Sequence, residues 1–162
     1  MRRLLSLILL LAFLLTGCSA YGERLKEPVT FYYLRSELQY FVDDGVIASE
    51  ERESAGHRED LTYLLALYLI GPADEDLVSP LPKGTKIYSA EQNSEEIVLN
   101  ISNTTESMTD IEYSAACVCL ALTCFDLTDA GQVTVNSGER TLTISRDAIV
   151  LYDNVTAMEE QK

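Results

Sequence analysis

The chain has 162 residues, the size of one ordinary domain, and its 47% hydrophobic and 23% charged residues are typical of a folded globular protein. It carries 12 Lys and Arg against 26 Asp and Glu, a formal charge of −14, which argues against nucleic-acid binding because phosphate neutralisation needs clustered positive charge. One His and four Cys exclude a His-rich metal site and a dense disulfide scaffold.

The N-terminus predicts a lipoprotein signal peptide over residues 1–17. Two arginines precede an apolar run from Leu4 to Leu15, and this run is too short for a hydrocarbon core that needs ~20 residues. The sequence Leu-Thr-Gly-Cys, ending at Cys18, matches the bacterial lipobox. We therefore expect Cys18 to be acylated and to anchor the chain in the cell membrane, on its extracytoplasmic face. An ordinary secretory signal with a chance cysteine is the alternative.

Three further regions follow the signal peptide. Residues 18–27 are expected to form the lipidated cysteine and a short tether. Fully extended, the tether spans only roughly 30 Å at ~3.3–3.6 Å per residue, so it keeps the folded part close to the membrane. Residues 28–153 are predicted to form a single domain, and residues 154–162 a flexible C-terminal tail.

The domain opens with a β-branched and aromatic segment, Val29–Leu34, that predicts a strand. A second strand is predicted over Val46–Arg52, after an Asp-Asp-Gly turn signal, and Leu38–Val42 between the two is ambiguous. A helix is predicted over Arg58–Ile70 and is stopped by a Gly-Pro dipeptide. Its apolar stripe consists of Leu61, Leu64, Leu65 and Tyr68, widened by Leu67, Leu69 and Ile70.

Two hairpins are predicted in the second half of the domain. A long connector over residues 73–85 leads into the first hairpin, formed by Lys86–Glu91 and Glu95–Ile101, whose second strand alternates apolar residues toward one buried face. The second hairpin pairs Gln132–Val135 with Thr141–Ser145 around a Ser-Gly-Glu turn.

A second helix, predicted over Asp110–Phe125, lies between the hairpins. Thr109 and Glu112 have the spacing of a capping box at its start. Its predicted apolar stripe consists of Ile111, Ala115, Val118, Leu122 and Phe125. After the second hairpin, Ile149–Tyr152 is a candidate edge strand.

This order of elements, β-β-α-β-β-α-β-β, predicts an α+β fold: an antiparallel or mixed sheet with two helices packed on one face. Cys117, Cys119 and Cys124 of the second helix are expected to be core residues, because their spacing matches no standard zinc motif. A disulfide between the outer two is disfavoured, since residues seven apart lie about 10 Å apart along a helix.

The sequence contains no recognisable catalytic, metal-binding or cofactor-binding motif, so no catalytic residue, metal or cofactor is predicted. His57 is the one histidine, and a lone His just before a helix is more often a surface or capping residue than a catalytic base. An envelope enzyme acting on peptidoglycan or lipid, through His57 or a carboxylate pair, is nevertheless one alternative function.

Two acidic clusters are candidate interaction sites. Asp74, Glu75 and Asp76 form an acidic loop within the connector, and a second cluster spans Glu50–Glu53. Such clusters bind a divalent cation or a basic partner, or are simply solvated. A ligand-binding or cation-binding lipoprotein is therefore a second alternative, and calcium should then raise its melting temperature.

From the first helix onward the chain resembles the GerMN domain family of sporulation and spore-germination lipoproteins. The helix ends in Leu-Ile-Gly-Pro, and the loop after it ends in Leu-Pro-Lys-Gly-Thr before a strand. Leu99–Ser102 and the Ala/Cys-rich second helix also fit, and the resemblance spans Val29–Ile144. The turn residues that carry it are Gly71, Pro72, Pro82, Gly84 and Thr85.

This resemblance implies a non-enzymatic interaction or scaffold module of the bacterial cell envelope, with a role in sporulation or germination. Its expected partners are the lipid bilayer, through acylated Cys18, and an unidentified envelope or sporulation protein, with no nucleic acid. The turn residues are expected to shape the connector and to carry no chemistry. The acidic loop and the sheet edges are the expected contact surfaces.

Overall fold

The computed structural model describes residues 25–37 and 45–149 of the chain. The predicted signal peptide, the predicted acylation site Cys18, most of the predicted tether and the predicted tail lie outside the described residues. The ambiguous segment Leu38–Val42 and residues 150–152 of the candidate edge strand also lie outside them.

The described residues form seven strands, two α-helices and two short 3₁₀ turns. The strands are β1 (Pro28–Arg35), β2 (Ile47–Glu53), β3 (Leu77–Val78), β4 (Ile87–Gln92), β5 (Glu96–Ile101), β6 (Gln132–Ser137) and β7 (Arg140–Ser145). The helices are α1 (Leu61–Tyr68) and α2 (Asp110–Leu127), and the 3₁₀ turns span Asn103–Ser107 and Arg146–Ala148.

One sheet has three antiparallel strands in the order β2-β1-β3. Alternate residues of β1, namely Val29, Phe31 and Tyr33, are buried, as expected for a strand with one face on the core. β3 is an addition to the predicted elements, because it lies inside the predicted connector and pairs Leu77 with Arg35. A strand of two residues is too short to produce a recognisable periodic pattern.

The other sheet has four strands in the order β4-β5-β6-β7 and is mixed. β5 and β6 are parallel and are joined through α2, whereas the two outer pairs are antiparallel. The predicted alternation of β5 is confirmed, since Ile97, Leu99 and Ile101 are buried. Val133 and Val135 of β6 continue this buried face.

The predicted α+β class is confirmed, although the strands divide between two sheets where the sequence suggested one. α1 contacts β4, and α2 contacts β6 and β7 of the four-stranded sheet as well as β1 of the other sheet. The Thr123 hydroxyl of α2 accepts a hydrogen bond from the Tyr32 amide of β1 at 3.1 Å. Within residues 25–37 and 45–149, neither helix is long and apolar enough to cross a membrane.

α1 is shorter than the predicted helix Arg58–Ile70. Asp60 is its N-cap, because the Asp60 carboxylate accepts the Tyr63 amide at 3.0 Å, so the two residues before it stay outside the helix. At the other end Ile70 is 76% exposed, which places it outside the buried stripe. Gly71 follows with a φ of +96°, a left-handed conformation that ends the helix.

The predicted capping box of α2 is confirmed, whereas its predicted apolar stripe is only partly confirmed, because Leu122 and Phe125 are buried but the other three residues are not. The Thr109 hydroxyl accepts the Glu112 amide, and the Glu112 carboxylate accepts the Thr109 amide at 2.8 Å. Ile111, the first residue of the predicted stripe, is 83% exposed, and Ala115 and Val118 are only half-buried. The most deeply buried residues are Ala116, Cys117, Cys119, Leu120, Ala121, Thr123 and Cys124. Because α2 contacts both sheets, burial extends around much of the helix and leaves no single stripe to read.

Candidate functional site

The acidic loop is held in place by a carboxylate of the neighbouring strand β2. The Glu50 side chain is only 10% exposed and accepts the Ala73 amide at 3.2 and 3.0 Å and the Asp74 amide at 3.0 Å. Arg52 pairs with Glu50 at 3.3 Å and donates to the Gly71 carbonyl at 3.0 Å. Glu50 and Arg52 together therefore fix the backbone that leads from α1 into the acidic loop.

The acidic loop is ordered by its own backbone contacts as well. The Asp74 carboxylate accepts the Asp76 amide at 2.9 Å, and the Asp76 carbonyl accepts the Ser36 amide of the chain after β1 at 2.8 Å. Pro72 at the start of this segment is half-buried, whereas Asp74, Glu75 and Asp76 are all exposed. The loop thus presents three carboxylates to solvent from a fixed backbone, an arrangement that suits a basic partner.

The second acidic cluster is divided by the alternation of strand β2. Glu50 and Arg52 contact the loop, whereas Glu51 and Glu53 are exposed. In the sequence these residues form one cluster. On the strand, however, successive side chains point to opposite faces, which separates Glu50 and Arg52 from Glu51 and Glu53. No sequence signal shows that Glu50 has its backbone partners more than twenty residues away.

The turn before β4 is closed by Thr85, which was expected to have a structural role. Its amide and its hydroxyl both donate to the Pro82 carbonyl, at 3.1 and 2.7 Å. Gly84 between them has a φ of +89°, a conformation that glycine adopts without strain. The Thr85 hydroxyl also lies 2.8 Å from the Thr104 hydroxyl, which ties the turn to the segment that follows β5.

His57 is exposed and stacks on the Tyr63 ring, with ring centroids 4.1 Å apart. Two open grooves, of about 730 and 480 Å³, lie at one end of the four-stranded sheet and share Asn93, Ser94 and Asp129, and His57 lines neither of them. In the described part of the chain, no three His, Cys, Asp or Glu side chains come together as a group able to hold a metal ion. The residue proposed as a base in the enzyme alternative is therefore separate from both grooves.

The three cysteines of α2 are buried and free, which confirms that they are core residues. Burial raises the pKa of Cys117 to about 11 and the pKa of Cys119 and of Cys124 to about 12. The three thiols are therefore protonated at neutral pH, whereas a nucleophilic or metal-binding cysteine is a thiolate.

The outer face of the four-stranded sheet carries a ladder of uncharged polar side chains. The Asn100 amide donates to the Ser89 hydroxyl at 2.7 Å, and the Asn136 amide donates to the Asn100 carbonyl oxygen at 3.1 Å. The Thr141 hydroxyl donates to the Asn136 carbonyl oxygen at 2.9 Å, so the ladder crosses all four strands. This ladder has no signal in the sequence, because its members are distant along the chain and align only through the register of the strands.

The described residues thus form an α+β domain whose less exposed polar groups hold turns and loops, and whose surfaces present carboxylates, amides and hydroxyls. Residues 30–143 match the model of the Germane family, whose description is sporulation and spore germination. The chain belongs to this family, and the resemblance to GerMN domains seen in the sequence is confirmed. No curated protein matches the chain.

Solved structures that are similar to this one include two from Bacillus subtilis and one from Clostridium perfringens. The tandem GerMN domains of the sporulation protein GerM from Bacillus subtilis align with a TM-score of 0.55 and 19% identity, over 76% of this chain and 46% of that one. This chain therefore spans less than half of the tandem protein. A protein described as a candidate lipoprotein from Clostridium perfringens aligns with a TM-score of 0.47 and 15% identity, over 74% of this chain and 87% of that one. The first GerMN domain of the same Bacillus subtilis protein aligns with a TM-score of 0.47 and 10% identity, over 70% and 86% of the two chains. At these identities, the match to the tandem domains shows a shared fold.

Proposed function

We propose that this protein is a lipoprotein of the cell envelope, acylated on Cys18 and held on the extracytoplasmic face of the membrane. There its domain binds another envelope or sporulation protein without catalysing a reaction. The observation that carries the proposal is the lipobox ending at Cys18, which is followed after a short predicted tether by a domain whose residues 30–143 match the Germane family.

The way this domain uses its reactive side chains supports binding over catalysis. Glu50 accepts backbone amides of a neighbouring loop, His57 stacks on a tyrosine at the surface, and the three thiols of α2 are buried and protonated. The acidic loop, in contrast, presents three exposed side chains, of which the Asp74 carboxylate accepts a backbone amide of the same loop. These are the features of a surface for recognition.

Acylation is tested by comparing Cys18→Ala with Ser19→Ala in the bacterial host. Cys18→Ala is expected to abolish lipid labelling and to move the protein out of the membrane fraction, whereas Ser19→Ala, which keeps the thiol that receives diacylglycerol, should leave both unchanged. Mass spectrometry of the mature N-terminus provides an independent readout. A wild-type protein whose mature N-terminus carries no lipid mass contradicts the lipoprotein assignment.

Partner binding is tested by crosslinking in sporulating cells followed by purification from membranes. Neutralising the acidic loop with Asp74→Asn, Glu75→Gln and Asp76→Asn keeps the Asp76 amide bonded to an oxygen and removes the charge. We expect the captured partner to be reduced relative to a control that carries Glu51→Gln and Glu91→Gln, two exposed carboxylates outside the loop. A wild-type protein that captures no partner, but converts an envelope substrate, contradicts the proposed function.

A further inference from the structure

The edges of the two sheets differ in how they are protected against pairing with another strand. β2 carries four consecutive charged residues, Glu50–Glu53, and β3 is only two residues long. β4 is interrupted by a bulge between Ile87 and Ser89. Charge, short length and bulges are the devices by which natural proteins keep a strand edge from accepting a partner.

Beyond its first residue, Arg140, β7 has none of these devices. Its six residues pair with β6 in a continuous register, and no charged residue, Pro or Gly lies between Arg140 and Arg146. Ser137 and Arg140 flank a two-residue turn, so they form a hydrogen-bonded pair, and the bonding direction alternates from there along the strand. The amides and carbonyls of Thr141, Thr143 and Ser145 consequently point away from β6, and no described strand lies beside them.

The charges at the two ends of β7 define the kind of partner that fits. The Arg140 guanidinium is directed toward the start of α2, where it pairs with Asp110 at 2.8 Å and donates to backbone carbonyls. The Arg146 guanidinium donates to three backbone carbonyls in the last turn of α2 and the loop after it. Glu139 and Asp147, which flank the strand, are exposed. Among the described residues, the outer edge of β7 is therefore neutral along its length and has an exposed carboxylate beyond each end.

The side chains on the two faces of the four-stranded sheet indicate which side chains a strand added beside β7 would carry. Leu142 is only partly buried at the margin of the core, so an apolar neighbour would cover it. On the opposite face Thr141 and Thr143 are exposed, and their hydroxyls take part in hydrogen bonds across the sheet. A strand that alternates apolar and hydroxyl side chains continues both faces.

From these observations we infer that the edge of β7 binds an extended segment of a partner protein as a fifth strand of the sheet. The segment alternates apolar and hydroxyl side chains and has a basic residue at each end, opposite Glu139 and Asp147. This inference rests on the proposed function and names a surface and a partner chemistry for it. Main-chain hydrogen bonds supply the binding, and the terminal charges select the segment.

The test uses the detergent-solubilised full-length protein and fluorescent peptides that span the same nine positions as residues 139–147. One peptide alternates Thr and Val between two terminal lysines, and its matched control has terminal glutamates. Fluorescence anisotropy is expected to show about tenfold tighter binding of the lysine peptide, with a difference that shrinks as salt is raised. N-methylation of the central amides of the lysine peptide is expected to abolish binding without any change to the protein.

A pair of variants at one position locates the binding edge. Thr143→Pro removes an amide that points to the open edge, whereas Thr143→Ala loses the same side chain and keeps the amide. We expect Thr143→Pro to bind the lysine peptide about tenfold more weakly than Thr143→Ala does.

The edge assignment is overturned by equal binding of the two variants, by full binding of the N-methylated peptide, or by no binding of the lysine peptide to the wild type. In cells, equal capture of a partner by the wild type and by Thr143→Pro overturns the edge assignment alone. Failure of the wild type to capture any partner overturns the proposed function.

Discussion

Removal of the Glu50 side chain tests whether β2 holds the acidic loop. In the native domain this carboxylate accepts three hydrogen bonds from the Ala73 and Asp74 amides and pairs with Arg52 at 3.3 Å. Glu50→Ala leaves both amides and the guanidinium without these acceptors. Glu50→Gln keeps one oxygen but places an amide group where the second oxygen accepted hydrogen bonds.

The expected cost follows from the number and kind of contacts. A hydrogen bond to a charged group contributes ~1.5–3 kcal/mol, but the two loop amides are near the surface and water replaces part of what is lost. We therefore expect Glu50→Ala to lower the free energy of unfolding by about 2 kcal/mol and Glu50→Gln by about 1 kcal/mol. Glu51→Ala changes an exposed neighbour on the same strand and should stay within ~0.5 kcal/mol.

Urea unfolding measures these differences, and amide hydrogen exchange locates them. Exchange at Ala73 and Asp74 should accelerate in Glu50→Ala, while exchange in the strands of the four-stranded sheet changes only with global stability. If Glu50→Ala and Glu51→Ala have equal stability and equal exchange at the two loop amides, then Glu50 does not hold the loop.

Three further predictions concern α2. Thr123→Val preserves shape but leaves the Tyr32 amide without its acceptor, so unfolding free energy should fall by about 1–3 kcal/mol in urea titrations; no loss would show that water or another group replaces the hydroxyl. Hydrogen bonds from Thr109 lower the pKa of Glu112 below its usual 4.5, so its capping contribution is present above pH 4.5 and lost as pH falls through the lower folded-state pKa. The stability gap between wild type and Glu112→Ala should accordingly narrow between pH 7 and pH 3, and a constant gap would contradict the cap. The three buried thiols should react with a disulfide reagent at pH 8 only after unfolding, and rapid reaction of the native protein would contradict their burial.

Short sequence patterns predicted the parts of the fold in which a strand or helix end depends on neighbouring residues alone, such as a strand with one buried face. The alternation of Ile97, Leu99 and Ile101 and the capping box of Thr109 and Glu112 are of this kind. The buried face of α2 could not be read in the same way, because contact with two sheets removes the polar side that an amphipathic pattern needs, and Ile111 is exposed.

The candidate site was less predictable because its contacts join distant parts of the chain. The sequence identified the acidic loop as charged, but the backbone contacts that order it come from Glu50 of another element. The position of β7 at the end of its sheet is a property of the order of the described strands, and nothing in the residues Arg140–Ser145 reveals it.

The position of α2 against both sheets has a consequence for recognition. In the described part of the chain the two sheets share no strand, and α2 contacts both of them, with small residues such as Ala116, Cys117 and Ala121 deeply buried. Close packing through short side chains leaves few rotamers that can change, so the spacing between the sheets is set before any partner arrives. The acidic loop beside one sheet and the β7 edge of the other are therefore preorganised relative to each other. A partner that binds the acidic loop and the β7 edge together makes its second contact at high effective concentration. It also avoids the entropic cost of arranging the two surfaces.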